Sequence, residues 1–252
     1  MLRCFYTAGT GMLVQKDRMD VLANNLTNVE TTAYKSDSLN ASSFKDMMIQ
    51  RMNDSDASGA SRTVGDLGTG SHINEVCTSF EQGGIEDTGR SLDFALEGDG
   101  FFVVSTPNGD RYTRDGSFSV SSDGYLITSE GYYVQGENGK ISVGGDDFTV
   151  DEAGGISVGG KAVDSFRIVE FVDTTWLRKE GSNLFYEASG TSPQSAADTK
   201  VLQGTLEGSN VDIAEDLTRL LSITNAYRTN QRVLGMVDDS LKKTVNEVGK
   251  VG

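Results

Sequence analysis

IAEDLTRLLSITNAYRTNQRVLGMVDDSLKKTVNEV, residues 213–248, is heptad sequence. Ile213, Leu217, Leu220, Thr224, Tyr227, Gln231, Leu234, Asp238, Leu241, Val245 and Val248 alternate steps of four and three without a break. Eight of these eleven are apolar, so the stretch reads as the seam of a coiled coil sustained for five heptads. The opposite end repeats the pattern, with Phe5, Met12, Met19 and Leu26 at period seven and Leu22 and Val29 on the adjoining position. Such a stripe buries nothing in an isolated helix. Its partners are expected to be the other terminus and neighbouring copies of the same chain, as in a subunit built to polymerise.

Between the ends the period changes. From about His72 to Gln203, short apolar or alternating runs such as Phe101–Ser105, Tyr125–Thr128 and Phe166–Phe171 recur between Gly and Asp turns. Asn108–Gly109, Asp115–Gly116, Asp123–Gly124, Asn138–Gly139 and Gly154–Gly155 are hairpin signals. The expected fold is therefore α+β, an all-β meander or barrel inserted between N- and C-terminal coiled-coil helices. The expected division is 1–35 for the first helix and its turn, 36–71 for an extended or flexible connection, 72–205 for the β domain, and 206–252 for the last helix. The first helix is expected from about Leu2 to Asn28, where the Asn-rich Asn24–Val29 ends it. A second short amphipathic helix is expected at Ser43–Arg51, and Asn53–Gly70 has the composition of a flexible excursion. Ser209 or Asn210 is expected to cap the last helix, with Glu215 in its first turn.

Composition bounds the function. The 252 residues carry a formal net charge of −15, unevenly spread. Residues 1–35 hold four basic and three acidic groups and residues 206–252 hold six and seven, whereas 36–205 hold 12 and 27. Near-neutral termini suit surfaces that pack on like copies, and the acidic middle keeps the chain in solution. With no basic patch to neutralise phosphate, nucleic acid is not an expected partner. No run of 18 apolar residues exists, so no membrane insertion is expected. Thr7, Gly9, Thr10 and Gly11 interrupt the apolar start and the heptad runs on to Val29, so a cleaved leader is not expected. Cys4 and Cys77 are too isolated in sequence for a metal motif and read as buried thiols rather than a bridge.

Catalytic chemistry is sparse. His72, the single histidine, sits in a Gly/Ser/Thr-rich stretch and reads as an exposed loop residue. Asp146–Asp147 and Glu215–Asp216 read as a solvated face and a helix start, because sequence neighbours rarely point into one cleft. Gly144–Phe148 with the later Gly pairs resembles calcium-binding Gly/Asp repeats but lacks their nonapeptide register. No catalytic residue, metal site or cofactor is expected. A coiled-coil-stalked adhesin and a glycan-cleaving enzyme with an acidic pair remain the alternatives to a polymer subunit.

Five strings carry a resemblance. They are Met1–Met12 (MLRCFYTAGTGM), Met19–Val29 (MDVLANNLTNV) with Tyr34–Lys35, and Leu92–Val104 (LDFALEGDGFFVV). Arg111–Phe118 (RYTRDGSF) with Asp123–Ile127, and Leu206–Val211 (LEGSNV) with Ala226–Tyr227, complete the set. Together they resemble the bacterial flagellar axial proteins of the rod and hook. Within that family the Met1–Tyr34 string is more similar to distal than to proximal rod members, with a proximal rod or hook subunit as the alternative. The resemblance implies that the terminal helices pair and that copies pack as an inner tube around a channel, with the β domain outside. It implies self-association and contact with other flagellar rod and hook proteins, placing the chain in the flagellum basal body. It also implies passage through the flagellar type III export apparatus without leader cleavage. The self-assembly residues are then Phe5, Met12, Met19, Leu22, Leu26, Val29, Ile213, Leu217, Leu220, Tyr227, Leu234, Leu241, Val245 and Val248.

Overall fold

The computed structural model describes residues 2–45, 47–51, 62–145, 148–181, 183–188, 192–196 and 198–248. Helix α1 spans Leu2–Thr27 and helix α2 spans Ile213–Val248, with the β-structure between them. Helix α1 tolerates its threonines because their hydroxyls fold back onto the chain, Thr7 Oγ1 on the Arg3 carbonyl and Thr10 Oγ1 on that of Thr7. It ends in the Asn-rich turn, where Asn28 N–H reaches the Asn25 carbonyl and Thr31 N–H that of Asn28. Ala33 then takes a left-handed φ of 52°, which no helix continues through.

The chain divides into two compact units. The first holds residues 1–24, 37–77 and 213–252, and the second holds 25–36 and 78–212. This differs from a boundary at 35/36, because residues 25–36 are tied by buried hydrogen bonds and an ion pair to the second unit. In the first unit, α1 and α2 run antiparallel. Met19 Sδ accepts from Thr224 Oγ1 at 3.7 Å, and Gly11, earlier on α1, faces Asn230, later on α2. Two ribbons accompany them. Strand Asp37–Ser43 pairs with Ser71–Thr78, and Met47–Arg51 pairs antiparallel with Arg62–Leu67. The expected helix at Ser43–Arg51 is thus two strand segments. Met47, Met48 and Ile49 satisfy a helical stripe and a strand equally over so short a run. The expected flexible excursion begins with residues outside those described and ends in ordered strand. Gly70, at φ 129°, lies so close to α1 that a Cβ there would stand 2.5 Å from Thr10 Oγ1.

The second unit is all β. Its main sheet runs Leu177–Glu180, Leu184–Glu187, Gly109–Thr113, Phe101–Thr106, Tyr133–Gly136, Leu126–Ile127, Ser119–Val120, antiparallel throughout. Strand Phe101–Thr106 also takes Ile168–Glu170, pairing Ile168 with Phe102. A three-stranded meander, Phe148–Val150, Gly155–Val158 and Lys161–Ser165, packs beside it. Strand alternation explains the core: Phe102 and Val104 face one cluster with Phe94, Phe118 and Phe166, while Phe101 and Val103 face another with Phe171 and Phe185. Both faces are covered, so Phe101–Val104 reads as an unbroken apolar run. Gly116 is required by closeness rather than by turn geometry, since a Cβ there would meet the Phe94 backbone.

Candidate assembly site and the buried ion cluster

Placed on the structure, the seam residues divide. Leu22 is buried, and Met12, Met19, Leu26, Val29, Leu220, Tyr227, Leu234 and Leu241 are half-buried. Phe5, Ile213, Leu217 and Val245 remain exposed, Val245 at 70%. The side chain of Val248 lies outside the described residues. Ala8 and Val14 on α1 are also buried, and Ile223, Asn230 and Val237 on α2 half-buried, none of which the seam reading included. The reason is geometric: a straight helix drifts about 20° per heptad, so an antiparallel pair does not follow one strict seam.

Unmatched apolar surface is therefore abundant in the helical unit. Tyr6, Leu13, Leu221 and Met236 are each more than 60% exposed. On the ribbon, Phe44, Met47 and Met48 are exposed as well. A monomer rarely leaves so much large apolar side chain in water. Two concavities interrupt this surface. One of roughly 570 Å³ is lined by the first turns of α1, Leu67–Thr69 and Asn230 and Val233 of α2. The other, of roughly 260 Å³, lies among Arg18, Leu22, Leu39, Arg219 and Ile223.

Three expectations need correction here. Cys4 is exposed and Cys77 half-buried, both as free thiols, because neither faces a closed core; Cys77 Sγ accepts from Asn40 Nδ2 at 3.4 Å. His72 lies in a strand, not a loop, half-buried and stacked on Phe44 with ring centroids 4.8 Å apart. Asn210 does not cap α2. Its carboxamide instead accepts from Ser36 N–H at 2.7 Å and donates to the carbonyls of Ser79 and Glu81. Asp146 and Asp147 lie outside the described residues.

The second unit contains a feature that no sequence pattern announced. Lys35, Arg114 and Glu207 have side chains 0%, 1% and 0% exposed. Lys35 Nζ donates to Glu207 Oε1 at 2.6 Å and to the Glu81 carbonyl at 2.7 Å. Arg114 Nη1 reaches Glu207 Oε2 at 3.4 Å, its Nη2 donates to the Gly98 carbonyl, and its guanidinium lies over the Phe101 ring. Gly83 N–H completes the Glu207 shell at 2.9 Å. One carboxylate thus serves two buried cations. Burial pushes the Lys35 ammonium below the usual lysine range, and the Glu207 charge partly restores it.

Around this cluster the segment after α1 and the segment before α2 are bound together. Ala33 N–H donates to the Glu207 carbonyl at 2.8 Å, and Asn210 N–H to that of Tyr34. Tyr34 is 1% exposed, donates to Asn25 Oδ1 and carries Lys179 Nζ over its ring. Thr32 and Asn183 share Asp115. Tyr34–Lys35, Arg111–Phe118 and Leu206–Val211, three of the strings carrying the flagellar resemblance, therefore meet in one buried network. Its chemistry is structural: every charged group in it is committed to an internal partner.

The comparisons with known proteins agree along the whole chain. Three family descriptions match: "Flagella basal body rod protein" over residues 5–35, "Flagellar hook protein FlgE/F/G D1 domain" over 95–158, and "Flagellar basal body rod FlgEFG protein C-terminal" over 202–247. The chain is 34% identical to the flagellar basal-body rod protein FlgG of Bacillus subtilis, covering 98% of this chain and 99% of that protein. A 34% identity to FlgG of Borreliella burgdorferi covers 96% and 97%. The flagellar basal-body rod protein FlgF of Caulobacter vibrioides is 30% identical over the full length of both.

Proposed function

Because this chain belongs to the flagellar basal-body rod family and is a structural subunit of the rod in the flagellum basal body, we propose how it does that work. Copies polymerise through their paired terminal helices into a hollow, torque-transmitting shaft, and this chain forms its distal part. The observation that carries the reading is the uncovered apolar surface on an already paired helical unit, which includes Phe5, Leu13, Leu217, Leu221, Met236 and Val245. Burying each such side chain contributes about 1.5–3 kcal/mol, and only further protein can do so here. A contact between different faces of identical copies whose rotation does not close yields a helix of subunits. The acidic β unit is then the outer layer, repelling unrelated surfaces. Other rod and hook proteins adjoin it at the ends, and the flagellar type III export apparatus delivers the chain. The full-length FlgG matches support a distal position.

Electron microscopy of basal bodies from a strain lacking this chain tests the position. The expected result is a shortened rod without a hook. Intact rods bearing hooks would contradict the reading, and a rod ending at the inner membrane would move the chain to a proximal place.

A further inference from the structure

We propose that the groove holding Arg18 receives the Met236–Asp239 turn of α2 from the next copy of this chain, an inference that rests on the polymer reading above. The groove measures roughly 260 Å³ and has an apolar floor of Val21, Leu22, Leu39 and Ile223. Its two arginines differ. Arg219 bonds Glu215 at 2.5 Å and lies 3.9 Å from Asp216, so its charge is already answered on its own helix. Asp37 also lies on the rim. Arg18 is half-buried and, among the described residues, meets no carboxylate. The site therefore asks for an apolar side chain with an anion beside it.

On α2, Met236 and Asp239 make such a pair. Met236 is 69% exposed, and Asp239 stands three residues on, within one turn and on the same face. Lys242 bonds Asp238 at 2.6 Å, and Asp239 adds only a weaker attraction to the same ammonium. Two other exposed residues of the helices lack this company: Leu221 has no acid within one turn on either side, and Asp17, one turn from Leu13, is paired with Lys16. A flexible thioether suits an irregular groove of this kind.

Geometry makes the contact propagate. Groove and knob occupy different places on the same helix, and from Ile223 to Met236 the helix rises about 20 Å at 1.5 Å per residue. A copy that fills its neighbour's groove leaves its own groove open, so the contact is heterologous and each added subunit advances along the helix pair.

A charge swap in the full-length protein tests this, with sedimentation of assembled material against concentration as readout and circular dichroism as the check on folding. Arg18→Glu and Asp239→Arg are each expected to raise the concentration needed for assembly tenfold or more. The combined Arg18→Glu/Asp239→Arg chain is expected to return to within about threefold of the unchanged protein. Assembly of both single variants like the unchanged chain would overturn the docking while leaving the polymer reading intact. So would loss with Arg18→Glu alone, since another acid would then fill the groove. A double variant no better than the singles would do the same. An unchanged chain that stays monomeric at every concentration would instead overturn the polymer reading, and the docking with it.

Discussion

At the scale of single residues, the buried cluster is the most sensitive place in the molecule. Glu207 neutralises two cations, so Glu207→Gln strands both Lys35 and Arg114, whereas Lys35→Met leaves the Arg114–Glu207 pair standing. Breaking a buried pair costs about 3–5 kcal/mol. Urea unfolding of the β unit is expected to show Glu207→Gln at or beyond that loss and Lys35→Met well short of it; equal losses would mean that Arg114 adds nothing. The pH dependence follows from the lowered Lys35 pKa. Between that value and the ordinary lysine value near 10.4, the unfolded chain holds a proton that the folded chain has released. Lys35's contribution to stability therefore rises with pH through this window. The unfolding free energy of the unchanged protein, measured from neutral to about pH 10, should gain on that of Lys35→Met; a falling difference would show the Glu207 attraction outweighing burial.

At the scale of elements, the two kinds of periodicity tell different stories about what a sequence reveals. The helices declare themselves through apolar residues three and four apart, and the β middle through alternation broken by Gly turns. The expected α+β arrangement follows directly, with α1 ending where the asparagines cluster. The ribbon Met47–Arg51 with Arg62–Leu67 was illegible because five residues fit either period. The ion cluster was illegible for another reason: Lys35, Arg114 and Glu207 are far apart in sequence, and each alone looks like a surface charge. On α2, Leu220 and Leu234 are half-buried while Leu217 and Val245 are exposed. The stripe is thus shared between a partner within the chain and surface left for other copies, a division that spacing alone does not disclose. Leu234→Asp is expected to abolish assembly by placing a charge in that pairing. The signal of Trp176, which lies in the β unit, should remain native. Normal incorporation of Leu234→Asp into basal bodies would count against the helix pair as the assembly element.

At the scale of the whole molecule, the chain separates two tasks. The helical unit carries near-neutral, apolar-rich surface, and the β unit carries two closed aromatic cores and most of the negative charge. The buried network binds the segment leaving α1 to the segment entering α2, so the β unit is complete only when both flanking segments are present. The direct measurement is electron cryomicroscopy of isolated rods, resolved well enough to trace this chain. The account predicts α1 and α2 of successive copies packed around a central channel, with Leu13, Leu221 and Met236 buried between copies and the β unit outside. Helices that touch no neighbouring copy, or a channel walled by the β unit, would contradict it.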